Sequence, residues 1–540
     1  GGLLVYGGRY YGKDYGIYNT NGDNATIGSN DGTINKDSIE IIGGSYALYN
    51  ASTGYFNFYD GTLRGGIKAY PNGDVKAIAD DATIHLEDQA IDGINYDTRW
   101  LVPEYDVAKI GGTKYTKLSD AISAAEVGDE IELLADNYIM PALTVPGEKD
   151  FSIKTNGYDF ILGNPITNNG KVSIYSGSDS QSTISYQYPE YAIINSDGAT
   201  LSLNDSIINC YNGIKNDGIM TATNVSIDAN NIAIRNTGNM AASTNMTIHG
   251  SYDPIYTDGG ELTISDANIT GNYIYINSGT VSLNNSTATK AGEGIVEYVT
   301  NKGTLNINNT SLVLTNTGRP SGGTPDVARA IYNTGTTSIT NNSTVTHTES
   351  DPDRSAYKQY ATIYNDGGSV SMSNSNIILD VTNMKSYTSS NAYTVYNPTG
   401  NFAIESGNIT SRAYGTIYGI YNNSGSVIIG TPEPTTSQNY GGVNADVSLT
   451  SPNITAISTN NIANANPAAK LGIGIKNASG GRVEYYDGVV SGSATAFAEE
   501  PTVTEHFYEV CTELDTSTTP NLYTAKLFWM RDGQSSCANN

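Results

Sequence analysis

Acid–base, nucleophilic or metal chemistry would draw here on four histidines, three cysteines and scattered carboxylates, and their spacing serves none of the three. His85, His249, His347 and His506 all lie more than ten residues apart. None has a second His at the intervals a metal site uses. Cleaving a glycosidic bond takes two carboxylates at a fixed separation. Asp80-Asp81 is the one adjacent Asp pair, and it reads as a solvated turn. No Gly-x-Ser-x-Gly elbow is present. The acidic stretch Glu349, Asp351 and Asp353 lacks the ligand spacing of a dedicated Ca²⁺ loop. No catalytic residue, metal ligand or cofactor is therefore assigned, and the chain reads as a non-enzyme.

Binding chemistry has better candidates. Three insertions, Gly318–Arg329, Glu349–Tyr360 and Thr382–Ala392, precede equivalent points of successive repeats. They hold Arg319, Arg329, Arg354, Tyr357, Lys358, Tyr360 and Tyr387. This is a concentration of cations and aromatics in a chain with only 28 Lys+Arg against 54 Asp+Glu. Loops on a rigid scaffold are where binding sites tend to sit. Tyr332, Tyr364, Tyr396 and Tyr421 recur inside the repeat itself and predict an outward tyrosine ladder suited to sugar rings or protein partners.

The elements that would carry these residues follow from a short phrase: aliphatic residue, any residue, Asn, then Gly two to four places on. Its Asn residues include Asn195, Asn216, Asn236, Asn277, Asn333, Asn365, Asn397 and Asn422. The phrase blurs near Asn301. Two short runs of alternating apolar and polar residues follow each phrase, separated by Gly, Asn or Asp. Alternation marks half-buried strands, and the small polar residues mark turns. The repeat of about 20 residues is too short for a helical crossover and fits three strands with three corners. Stacking such coils at about 4.8 Å gives an all-β parallel β-helix. The aliphatic residue then faces the bore, Asn stacks as a corner ladder, and the residue between them points outward.

One segment breaks the pattern. Leu118, Ala121, Ile122 and Ala125 have helical spacing, which predicts a short capping helix near residues 116–126. A larger repeat sets the domains. Residues 47–61 match 474–488 at an offset of 427, which holds again at Tyr96/Tyr523, and Tyr15–Asn19 match Tyr418–Asn422. The reading is a preceding module's C-terminal part over 1–105, an N-terminal cap over 106–140, coils over 141–496 and an end or connector segment over 497–540.

Composition bounds the partners. A formal net charge of −26 disfavours nucleic acid, whose phosphates are bound mainly by Lys and Arg. No stretch approaches the roughly 20 apolar residues that span a bilayer, so no direct membrane insertion is expected. The chain opens at Gly1-Gly2 without a secretory signal, which reads as a processed piece of something longer. Cys511 and Cys537 are able to pair or to remain thiols, and Cys210 is expected inside its coil.

The stretch from Tyr115 to Leu133 resembles the N-terminal cap of pectin-lyase-like right-handed β-helix proteins. The Ile-Tyr-Asn coils resemble the long modular β-helix surface proteins of Gram-positive, often gut-dwelling, bacteria. The resemblance, with the usual chirality of parallel crossovers, implies a right-handed solenoid. It also implies secretion or cell-surface display and a structural or adhesive role as a stiff stalk or fibre. Expected partners are neighbouring modules of the same chain, further copies in a fibre, and host or bacterial glycans or proteins. The alternatives are a polysaccharide lyase or hydrolase of the same fold and a phage or secreted fibre.

Overall fold

A computed structural model describes residues 3–529 apart from 21, 30–34, 52, 72–73, 79–81, 92–93, 104–105, 140–142, 294–295, 319–326, 350–358, 382–390, 414, 432–450, 459–470, 479 and 503–507. The chain is all-β, with 67% strand and 2% helix. It divides into two compact units, residues 1–194 with 199–210, and residues 195–198 with 211–540.

From Thr287–Glu293 to Gly472–Asn477 each strand of the second unit pairs in parallel with the third strand after it, so three faces form. Val327–Asn333, Gln359–Asn365, Asn391–Asn397, Thr416–Asn422 and Gly472–Asn477 stack on the first face. Thr336–Thr340, Ser369–Met372 and Asn401–Ile404 stack on the second. Thr344–Glu349, Ser375–Val381 and Gly407–Ala413 stack on the third. This is a β-solenoid with three strands per coil. Its bore is filled by columns such as Ile331, Ile363, Val395 and Ile420, each fully buried. Burying one such side chain stabilises by about 1.5–3 kcal/mol.

The corners explain the abundance of Asn. At the first corner the phrase Asn turns inward. At the second, an Asn or Asp takes a left-handed backbone in several coils, as at Asn224, Asp266, Asn285, Asn309 and Asn374, a conformation these residues tolerate. A buried Ser or Thr stands directly behind several of them. The Ser286 amide donates to Thr310 Oγ1 at 3.1 Å, and the Thr310 amide donates to Ser343 Oγ at 3.1 Å. These hydroxyls also donate to carbonyls of their own or the preceding coil, so these backbone groups find partners within the protein.

In the first unit, Gly8–Gly12, Ile39–Gly43 and Thr62–Gly65 form one parallel face, and Tyr15–Asn19 with Tyr46–Asn50 form another. The stack ends in an antiparallel hairpin, Ala82–Ile91 with Ile94–Pro103, whose second strand pairs with Thr62–Gly65. The second unit ends alike, with Tyr508–Asp515 and Leu522–Trp529 on Val489–Gly492. The two ends differ in register. Gly65 faces Asp97, whereas its repeat equivalent Gly492 faces Tyr523. The expected match of Tyr96 with Tyr523 therefore slips by one residue, leaving Tyr96 buried and Tyr523 exposed.

Helix α1 is Leu118–Ala124, shorter than the predicted span, and it buries Leu118, Ala121 and Ile122. Lys149 Nζ donates to the Ser123 and Ala125 carbonyls at 2.8 and 2.7 Å. A cation there complements the helix C-terminus. Cys511 is disulfide-bonded, Cys537 lies outside the described residues, and Cys210 is buried.

First-face strands bend. In Val327–Asn333 the inward residues run Ala328, Ala330, Ile331, Asn333, so alternation changes phase between Ala330 and Ile331. The equivalent residues before the aliphatic are Thr362, Thr394, Gly419 and Gly474. A Cβ on Gly419 would lie 2.5 Å from the Gly474 carbonyl oxygen and 2.8 Å from Ile454 Cγ2. Gly419→Val is expected to cost about 1–3 kcal/mol or more through overpacking. Hydrogen exchange would read this as lost amide protection in Thr416–Asn422. Unchanged protection would mean that the bend tolerates a side chain.

Candidate functional site

The phase change sets the site's geometry. Residues three apart, one on each side of the bend, lie on the same side of the strand, although Tyr393 is buried there, only 4% exposed. Tyr393 and Tyr396 form such a pair, as do Tyr418 and Tyr421, with ring centroids 4.8 and 5.1 Å apart. Tyr393 stacks on Tyr418 at 5.3 Å, and Tyr396 meets Tyr421 at 5.5 Å with tilted rings. Arg329 takes the first position two coils before Tyr393, with Ala361 between them, and its guanidinium lies over Tyr332 at 4.3 Å and Tyr364 at 4.8 Å. The first unit carries the same motif. Tyr15, Tyr18, Tyr46 and Tyr49 cluster there, with Tyr18 and Tyr49 stacked at 5.6 Å.

Strand register extends the tyrosine column in both directions within the second unit. Lys215, Arg235, Tyr256, Tyr275, Thr300, Tyr332, Tyr364, Tyr396, Tyr421 and Lys476 occupy successive rungs. Tyr332, Tyr364, Tyr396 and Tyr421 are only partly exposed, less than an outward position implies, because neighbouring rings cover one another. Burial raises the Tyr332, Tyr364 and Tyr396 hydroxyl pKa values above the ordinary phenol range, and Asp366 adds to the effect. These phenols therefore stay protonated and keep a hydrogen to donate. Tyr332 uses its own on Asp366 Oδ2 at 3.1 Å.

Behind the column runs the amide ladder. Asn195 Nδ2 donates to Asn216 Oδ1 at 2.7 Å, and Asn216 to Asn236 at 2.8 Å. Asn301, Asn333, Asn365, Asn397, Asn422 and Asn477 form a second run, each donating to the next at 2.8 or 2.9 Å. Most rungs also donate to nearby backbone carbonyls, as Asn333 does to Gly335 O at 3.1 Å. Asn277 is a correction. Ile274, Tyr275 and Ile276 pair with Ile255, Tyr256 and Thr257, so Ile276 holds the ladder position. Asn277 is exposed and donates to Asp258 Oδ1 at 2.7 Å. Thr257 and Ile276 thus interrupt the amides, and Asn301 restores them.

The insertion residues separate. Arg319, Arg354, Tyr357, Lys358 and Tyr387 lie outside the described residues, as do Asp80 and Asp81. Tyr360 is a second correction: it is fully buried, in a cluster with Ala328, Leu379 and Ala392. The insertion therefore ends before it, at an inward strand position in register with Ala328. Arg329 is likewise a strand residue, with Nε 3.3 Å from Glu297 Oε2.

Sequence reasoning missed a buried polar group near the same corner. Lys290 Nζ donates to the Asn272 and Glu297 carbonyls at 2.5 and 3.1 Å and lies 4.0 Å from the Tyr273 ring centroid. Burial lowers its pKa to about 8 and raises that of Asp253 to about 6. The available signal was Lys290 at an inward alternation position, in register with Leu314.

His347 is fully buried in register between Leu314 and Leu379. Its Nδ1 is 3.1 Å from the Ala361 carbonyl. Burial lowers its pKa from 6.5 to about 4. The unfolded chain takes a proton near pH 6.5, the folded one only near pH 4. Stability is therefore full above 6.5 and drains as pH falls toward 4, by on the order of 3 kcal/mol. Urea unfolding at pH 7 and pH 4.5 should show this loss, and His347→Leu should flatten it. Equal pH slopes in the two proteins would assign the loss to other groups.

No protein-family model, curated protein or solved structure matches the chain.

Proposed function

We propose that the chain is a non-enzymatic structural and adhesive module of a long extracellular bacterial surface protein, built as a right-handed parallel β-helix of the pectin-lyase-like kind. The observation that carries the reading is the column of tyrosine rungs held in strand register against a buried amide ladder. Such an array resists bending, because every rung is fixed by strand pairing, ring contact and side-chain hydrogen bonds together. It offers a long, repetitive surface, which suits display and adhesion better than turnover at one point. Neighbouring modules of the same chain are the natural partners along the stack, and glycans, proteins or further copies are the natural partners at its side.

A second reading has one observation in its favour. Asp253 and Lys290, both buried, have pKa values shifted toward neutrality, as acid–base groups of a lyase or hydrolase do. The Lys290 ammonium is engaged by two backbone carbonyls, which favours a structural role. Incubation of the purified chain with a panel of polysaccharides distinguishes the two. No new reducing ends or unsaturated products are expected, and robust turnover would overturn the non-enzymatic reading.

A further inference from the structure

The second unit's outward column has features of a binding track. Ring centroids follow one another at 5.4 Å for Tyr256–Tyr275, 5.7 Å for Tyr332–Tyr364, 4.9 Å for Tyr364–Tyr396 and 5.5 Å for Tyr396–Tyr421. These steps are close to the advance of one hexose unit in an extended polysaccharide. Tyrosine joins an apolar ring to a hydroxyl that hydrogen-bonds, and a pyranose likewise joins apolar C–H patches to hydroxyls.

The charges along the strip decide between polymer classes. Lys215 is in contact with Asp217, Arg329 Nε is 3.3 Å from Glu297, and Lys476 Nζ is 3.6 Å from Glu499. Lys302 Nζ donates to Tyr275 OH at 2.6 Å. Arg235 and Lys302 lie toward the other end, against the rings of Tyr256 and Tyr275. Among the described residues beside the four rungs from Tyr332 to Tyr421, Arg329 and Lys476 are paired with carboxylates and Asp366 adds a negative charge. That segment therefore has no surplus of positive charge to attract a polyanion, and the chain's −26 repels one. Asp366, beside Tyr332, is an acceptor-only group suited to sugar hydroxyls. Thr300 interrupts the aromatics, and its hydroxyl is committed to Glu297. The track therefore divides into a two-rung and a four-rung segment.

We propose that the four-rung segment Tyr332–Tyr364–Tyr396–Tyr421 binds a neutral, unbranched polysaccharide laid along the stacking direction, one sugar unit to a rung. This rests on the reading of the chain as an adhesive module and adds the class of its ligand.

Calorimetric titration of the full chain with β-1,4-linked glucose, mannose, xylose and N-acetylglucosamine oligomers of two to six units tests the proposal. At least one series should bind, with affinity rising to four units and then levelling, and oligogalacturonate should bind more weakly. Tyr364→Ala and Tyr396→Ala should each weaken binding about tenfold, while Tyr364→Phe, which keeps the ring, should stay within a few-fold. Thermal melts of each variant separate lost binding from lost fold. The proposal is overturned if no neutral series binds, if oligogalacturonate binds more tightly, or if a folded Tyr364→Ala binds like the parent. Reducing ends measured in the same samples report on the parent reading separately. Their appearance would sink the non-enzymatic role and leave the track in place.

Discussion

Asn365→Leu should destabilise its coil and both neighbouring coils, by about 3–5 kcal/mol. Asn365 is fully buried. Its Oδ1 accepts from Asn333 Nδ2 at 2.8 Å, and its Nδ2 donates to Asn397 Oδ1 at 2.8 Å and to the Asn401 carbonyl at 2.9 Å. Leucine has similar volume and returns none of these bonds, so a donor on one side and two acceptors on the other lose their partner. A buried polar group left unsatisfied costs about 1–3 kcal/mol. The Asn333 amide retains weaker alternatives at Gly335 O and Ser369 O, which places the sum below three full penalties. Coils contact only their neighbours in a solenoid, so damage should stay local. Hydrogen exchange resolved by residue is the right measurement. Protection should fall across Val327–Asn333, Gln359–Asn365 and Asn391–Asn397 and persist in distant coils. An unchanged exchange pattern would mean that the ladder fills space without adding stability.

Arg99→Met is expected to cost about as much in the first unit, for an electrostatic reason. Arg99 and Asp97 lie two apart on one face of Ile94–Pro103, with side-chain exposures of 0% and 5%. The guanidinium donates to both Asp97 oxygens, at 2.7 and 2.8 Å, and to Tyr188 OH at 3.0 Å. Tyr188 OH in turn donates to Asp97 Oδ2. The Tyr70 ring lies 4.5 Å from the guanidinium, and Lys68 Nζ sits 3.7 Å from the Tyr188 ring centroid. Methionine leaves the Asp97 carboxylate buried with a single phenol donor. Breaking a buried pair from one side costs about 3–5 kcal/mol, whereas replacing both partners by apolar groups is often far milder. Arg99→Met should lower the first unit's urea midpoint clearly, and Asp97→Leu/Arg99→Met should recover much of the loss. A double variant as unstable as the single one would show that packing by the Arg99 stem, rather than the uncompensated carboxylate, sets the cost.

The stacking of three strands per coil, the inward aliphatic of each phrase and most rungs of the amide ladder were legible in the sequence. Period-2 alternation and a recurring corner are backbone requirements that every coil meets with the same residue types. The errors came where one residue of drift decides the face. Tyr275-Ile276-Asn277 offers an Asn in the expected phrase, yet strand register puts Ile276 at the corner. Tyr360 looked like loop decoration because the boundary between insertion and strand leaves no mark in composition. Tyr393 and Tyr418 were overlooked as site residues because strict alternation places residues three apart on opposite faces, and only the bend at Thr394 and Gly419 reunites them. The Asp97–Arg99–Tyr188 contact spans 91 residues from Asp97 to Tyr188, a separation at which local pattern carries no information.

The gap in the amide ladder at Thr257 and Ile276 has a consequence for tension. Elsewhere on the first corner, neighbouring coils are fastened by strand pairing and by side-chain amides. Between the runs that end at Asn236 and begin at Asn301 the buried amide-to-amide chain is broken, leaving the Asn236 amide on the Glu261 carbonyl at 3.3 Å, the Thr257 hydroxyl on the Ser278 carbonyl at 3.3 Å and the exposed Asn277 on Asp258 at 2.7 Å. Pulled from both ends, the second unit should yield at this seam first. The coils on either side would stay wound after it opened, so the lost contour would be regained by rewinding a few coils rather than by refolding the unit.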